Sequence, residues 1–73
     1  MIEVRLFATL REGRGKIVML PPEEFPDAAA VIRHLEIPEE EVAILLVNGF
    51  HQKPEHPVKD GDILAIFPPV GGG

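Results

Sequence analysis

Residues 1–20 read MIEVRLFATLREGRGKIVML, and the fold turns on how this stretch is parsed. Ile2, Val4, Leu6 and Ala8 alternate with Glu3, Arg5, Phe7 and Thr9, so Met1–Leu10 predicts a strand with one buried side. Glu12-Gly13-Arg14-Gly15 follows, with two glycines free to take positive φ, and Lys16–Leu20 is a second β-rich run. Strand, glycine-bearing turn and strand make a hairpin. Gly13-Arg14-Gly15-Lys16 is not a phosphate loop. That motif needs a glycine and a hydroxyl residue where this chain has Leu10 and Ile17.

Working outward, Pro21-Pro22 stops the hairpin because proline donates nothing to a ladder. Pro26-Asp27 opens a helix with Asp27 as N-cap, and Ala28, Val31, Ile32 and Leu35 form its apolar stripe. Ile37-Pro38 ends it, since the residue before proline is pushed out of the α region. Glu39-Glu40-Glu41 reads as a solvated loop or a short helical turn. Ala43–Val47 is a strand entering a tight Asn48-Gly49 turn. Pro54 and Pro57 limit any pairing in Phe50–Val58 to a short edge. Lys59-Asp60-Gly61-Asp62 is another turn, and Ile63–Phe67 is the last strand.

The order β-β-α-β-(β)-β predicts an α+β domain, with one main helix packed across a mixed sheet of four to five strands. A β-grasp arrangement, with first and last strands parallel at the centre, fits this order. A split-βαβ domain would need a second full helix, and Glu39–Val42 is too short for one. The expected organisation is one domain over residues 1–70 and a flexible glycine tail over 71–73.

Composition removes whole classes of chemistry. Cysteine is absent, which excludes disulfides, iron–sulfur clusters and Cys-ligated zinc. Ser and Tyr are also absent and Thr9 is the only threonine, so an activated side-chain nucleophile is almost unavailable. A formal charge of −5 opposes nucleic-acid binding and steers cationic partner surfaces towards the chain. No apolar run approaches the ~20 residues of a membrane span. Glu3 and Arg5 interrupt any signal-peptide core, so a cytoplasmic location is expected. His34, His51 and His56 match no familiar zinc spacing, and no metal is expected.

The C-terminus carries the chemistry instead. The last strand runs into Phe67-Pro68-Pro69-Val70, and Gly71-Gly72-Gly73 follows. Proline holds the exit extended, while three residues without Cβ can enter a narrow channel backbone-first. The α-carboxylate on Gly73 can be activated by ATP as a mixed anhydride with AMP, which a thiol, sulfide or amine then attacks. With no cysteine, sulfur would have to sit on the terminal carbonyl as a thiocarboxylate. By parity, Phe7 and Phe67 can meet on the sheet face away from the helix, as an aromatic docking patch with an ion pair from Arg11 at its rim.

Several segments together resemble the MoaD/ThiS family of ubiquitin-like sulfur carriers. They are Leu6–Glu12, Val47-Asn48-Gly49, His56–Asp62 and Phe67–Gly73, in order along nearly the whole chain. Within that family the chain most resembles the small, sulfur-carrying subunits of molybdopterin synthase. The resemblance implies a β-grasp fold and activation of Gly73 by an E1-like adenylating enzyme that uses ATP and Mg²⁺. It further implies a thiocarboxylate whose sulfur goes to a precursor held by a larger synthase subunit. On this reading Gly71 and Gly72 thread the partner, and Phe7, Arg11, Phe67, Pro68, Pro69 and Val70 dock. On the same reading the chain is expected to bind no cofactor of its own and not to be catalytic alone. Gly71 departs from the Ala or Thr that relatives often carry there, and the first loop is short. Two other readings use the same residues. One is a protein modifier, its tail joined to lysines; the other is a non-covalent β-grasp interaction module.

Overall fold

The computed structural model describes residues 1–69. Strand β1 (Ile2–Leu6) pairs antiparallel with β2 (Ile17–Leu20), closing the expected hairpin. Helix α1 spans Ala28–His34, β3 spans Ile44–Val47, β4 is the pair Phe50–His51, and β5 covers Ile63–Phe67. The sheet order is β2-β1-β5-β3-β4, with β1 and β5 parallel at the centre. One helix over a mixed five-stranded sheet in this order is the ubiquitin-like β-grasp fold. Glu39–Glu41 forms a single 3-10 turn, too short to provide the second helix of the rival topology. Among the described residues no helix is long and apolar enough to cross a membrane.

Alternation along the strands sorts the two faces. Ile2, Val4 and Leu6 of β1 and Leu64 and Ile66 of β5 are fully buried, and they meet Ala28, Val31 and Ile32 of the helix in one core. Each fully buried aliphatic side chain contributes about 1.5–3 kcal/mol relative to an exposed one. The first strand is shorter than the alternation predicts. Ala8 is exposed, not buried, because it takes φ +54 and starts a 3-10 turn over Ala8–Arg11. That turn carries Leu10 to full burial. The turn therefore buries Leu10 and leaves Ala8 outside, where continued alternation would have put both on the buried face.

Seven residues make a helix too short to stand on propensity, so its ends are tied to the rest of the fold. The Ala28 and Ala29 N–H groups donate to the carbonyls of His56 (3.1 Å) and Pro54 (2.7 Å). The Ala30 N–H donates to Asp27 Oδ1 at 2.8 Å, which makes Asp27 the N-cap the sequence predicts. At the other end the helix stops before Ile37-Pro38, because Glu36 turns left-handed at φ +56. The Glu36 N–H then donates to Arg33 O and the Ile37 N–H to Ile32 O, a Schellman closure.

Arg14 completes this end from across the molecule. Its Nε donates to Leu35 O (2.8 Å), Nη2 to Glu36 O (3.1 Å) and Nη1 to Leu10 O (3.2 Å). One guanidinium therefore fastens the β1–β2 connection to the helix C-terminus and satisfies carbonyls that the helix leaves free. Arg14→Ala is expected to lower the urea-unfolding free energy by about 1–3 kcal/mol. Arg14→Lys should recover little, because an ammonium cannot span three carbonyls as a planar fork does.

Asp62, only 4% exposed, joins two turns at the start of β5. Its Oδ1 accepts from Asn48 Nδ2 (3.0 Å) and its Oδ2 from the Lys59 N–H (2.9 Å). Burial opposes ionisation, yet these bonds and the nearby Lys59 ammonium outweigh it and hold the carboxyl below the ordinary aspartate value of 3.8. A folded-state pKa that is depressed gives stability above the unfolded value, lost as pH falls through the folded one. Asp62→Asn is accordingly expected to be less stable than the parent chain at neutral pH. The difference between their unfolding midpoints should close as the pH is taken well below 3.8.

Candidate functional site

The helix covers one sheet face and leaves the other open. Cross-strand register gathers on the open face Ile17 and Met19 of β2, Ala65 and Phe67 of β5, and Ile44 and Leu46 of β3. Ile17, Met19 and Ile44 are 57%, 48% and 37% exposed, so apolar side chains of both flanking strands stand on the open face. The Glu3–Arg5 ion pair (2.6 Å) crosses its middle.

At one end of this face the chain leaves the sheet. Phe7 follows the last residue of β1 and Phe67 is the last residue of β5, so parallel pairing of the two strands brings their rings together. The centroids lie 4.2 Å apart with planes 10° from parallel. Parity alone placed them on one face; the register of Leu6 against Ile66 puts them at the same height. Arg11 reaches back from the 3-10 turn, its Nε donating to Leu6 O at 2.8 Å. Its guanidinium carbon lies 5.4 Å from the Phe7 centroid, over the ring. Among the described residues Arg11 pairs with no carboxylate and is held by a carbonyl and an aromatic face. The carbonyl fixes Nε, and such cation–π contacts contribute about 0.5–1 kcal/mol when exposed.

The exit after Phe67 is fixed in three ways. The Ala43 N–H donates to Phe67 O at 2.9 Å, the Phe7 ring holds the Phe67 ring, and Pro68-Pro69 restricts the backbone that follows. Pro68 is half-buried and Pro69 exposed. The structure therefore brings together Phe7, Arg11, Phe67, Pro68 and Pro69. Val70, Gly71, Gly72 and Gly73 lie outside the described residues. Ile17, Met19 and Ile44 were missed as site candidates, although their strand parity carried the signal. Without knowing which strands neighbour β5, parity could not place them beside Phe67.

Residues 4–73 match the family model described as the ThiS family. The chain belongs to that family. It is 35% identical, over 100% of both chains, to the molybdopterin synthase sulfur carrier subunit of Escherichia coli (strain K12). The crystal structure of SAMP1 from Haloferax volcanii, a small archaeal modifier protein, superposes with TM-score 0.75 at 25% identity, covering 99% of this chain and 98% of that one. A chain from the complex of subunits 1 and 2 of molybdopterin-converting factor from Helicobacter pylori 26695 gives TM-score 0.66 at 24% identity, covering 99% and 97%. That last likeness speaks for the fold. The ThiS-family reading agrees with the β-grasp topology and with the sequence resemblance.

Proposed function

We propose that this chain is a sulfur carrier protein that works through its C-terminal acyl group, most directly in molybdopterin synthesis. The observation that carries the reading is full-length likeness to a protein named as a sulfur carrier subunit, in a chain with no cysteine to hold sulfur. In this reading a Gly73 carboxylate oxygen attacks the α-phosphorus of ATP on an E1-like partner, and pyrophosphate leaves. Sulfide then adds to the acyl carbon and expels AMP, leaving a thiocarboxylate. ATP and Mg²⁺ belong to the activating enzyme; this chain contributes a carboxylate and a handle. The thiocarboxylate sulfur finally bonds to an electrophilic carbon of a precursor held by a larger synthase subunit; water then cleaves the acyl–sulfur bond, leaving sulfur on the precursor and regenerating the Gly73 carboxylate.

Phe7, Arg11, Phe67, Pro68, Pro69 and Val70 are assigned to docking, and Gly71 and Gly72 to passage through the partner's channel. The fixed exit at Phe67 supports this division. A tail rooted in a rigid body loses less freedom on threading than one rooted in a loop, so more of the docking energy goes to placing the acyl carbon.

Likeness to SAMP1 favours one second reading, in which a lysine amine attacks the same adenylate and forms an isopeptide. Intact-mass measurement of the chain isolated from cells separates the two. A sulfur carrier is expected to show the mass gain of one oxygen-for-sulfur exchange, lost on hydrolysis to the carboxylate. A population made only of higher-mass conjugates would overturn the carrier reading.

A further inference from the structure

Asn48 is the chain's single asparagine, and Gly49 follows it. A peptide nitrogen that follows asparagine can attack the side-chain amide carbon, and glycine, lacking Cβ, hinders that attack least. Here the pair forms the β3–β4 turn with φ +52 and +87, left-handed at both positions as a two-residue hairpin requires. The amide that would react is tied down at both ends. Asn48 Nδ2 donates to Asp62 Oδ1 at 3.0 Å, and the Ile63 N–H donates to Asn48 Oδ1 at 2.9 Å. The Asn48 N–H also donates to Ile63 O at 2.8 Å. To close a five-membered ring, the amide must leave both partners and swing towards its own following peptide. Doing so would leave Oδ1 of the buried Asp62 carboxylate without its amide donor, with only the Lys59 N–H still bonded at Oδ2.

We propose that Asn48-Gly49 is a latent deamidation site, gated by the Asn48–Asp62–Ile63 hydrogen bonds. Reaction occurs only when this end of the sheet opens, and its product then favours the open form. In the step itself the Gly49 nitrogen gives up its proton and bonds to Asn48 Cγ. The Cγ–Nδ2 bond breaks and ammonia leaves, forming a succinimide. Water opens the ring at either carbonyl, giving aspartate or isoaspartate. Nothing is oxidised or reduced, and water is the only co-reactant.

The product cannot restore what it replaces. An aspartate at position 48 removes the donor to Asp62 and sets a second carboxylate about 3 Å away, where two like charges resist joint ionisation. Isoaspartate also adds a main-chain atom to a turn whose geometry tolerates none. Either outcome weakens the junction between the β3–β4 turn and the first residue of β5. The modified end lies opposite the Phe67 exit.

The test follows ammonia release and isoaspartate content of the full chain at mildly alkaline pH. Native protein is compared with the same chain in denaturant and with native Asp62→Ala. The native rate is expected to be about tenfold or more below the denatured rate, since local opening must come first. Folded Asp62→Ala should react severalfold faster than the parent chain. Equal rates in native and denatured protein, or no acceleration in folded Asp62→Ala, would overturn the gate. Asn48→Asp supplies a check that does not depend on the fold of Asp62→Ala. It should unfold at a lower midpoint than the parent chain, and added Asp62→Asn should return most of the loss. An Asn48→Asp chain as stable as the parent would overturn the proposal's second half.

Discussion

Removal of Gly73 is expected to abolish acyl-adenylate formation while leaving the body's unfolding midpoint unchanged. One extended residue spans about 3.5 Å, so the shortened chain's carboxylate would stop well short of the phosphate. Misplacing a reacting atom by a single ångström already costs about a hundredfold, and the loss here should exceed that. The described body ends its ladder at Phe67, six positions before the last glycine. ATP–pyrophosphate exchange with the activating enzyme is the measurement. Exchange at the parent rate by the truncated chain would remove the acyl group from the mechanism. Gly72→Leu provides the companion test. A bulky side chain should block threading, whereas a purely non-covalent interaction module would bind its partner as before.

Phe7→Ala is expected to weaken binding to the large partner subunit by about thirtyfold, the range of a contact hot spot of about 2 kcal/mol. The ring supports Phe67 at 4.2 Å and carries Arg11 over its face, so its loss releases both neighbours. Part of the effect will be on stability, since aromatic pairs contribute about 0.5–1.5 kcal/mol beyond area burial. Binding and urea unfolding should therefore be measured on the same preparation. Glu55→Ala, an exposed change in the loop beside the helix, should alter stability by no more than about 0.5 kcal/mol and leave binding untouched. A Phe7→Ala chain with unchanged dissociation constant would show that the partner contacts some other surface.

The strands and the helix cap were legible because each rests on a local rule, whereas the parallel centre came from the β-grasp topology that fits this element order and not from periodicity. Alternation marks β1, glycines mark the turn before β2, Asp27 marks the helix start, and Ile63–Phe67 is the strand found. Three features needed distant partners to be seen. Ala8 leaves the strand at φ +54, and the turn it starts carries Leu10 into a core built from distant strands and the helix. Arg14 looked like an ordinary turn residue, and its role depends on the carbonyls of Leu35 and Glu36, about twenty positions away. Arg11 carried a charge that suggested a carboxylate partner, yet a backbone oxygen and an aromatic ring were nearer. For the site, the Phe7–Phe67 meeting followed from parity once β1 and β5 were neighbours. The breadth of the apolar face, reaching Ile17 and Met19 on one side and Ile44 on the other, depended on the whole strand order.

Pairing of β1 with β5 joins residues near position 4 to residues near position 64. No subset of the earlier segments can form the middle of the sheet, so productive collapse waits until almost the full polypeptide has been synthesised. Long-range closure of this kind slows folding relative to designs built from neighbouring segments. A carrier with this architecture has a built-in check on translation. A chain cut short before Phe67 lacks part of its central strand, so the fold itself separates molecules that contain all of β5 from those that do not.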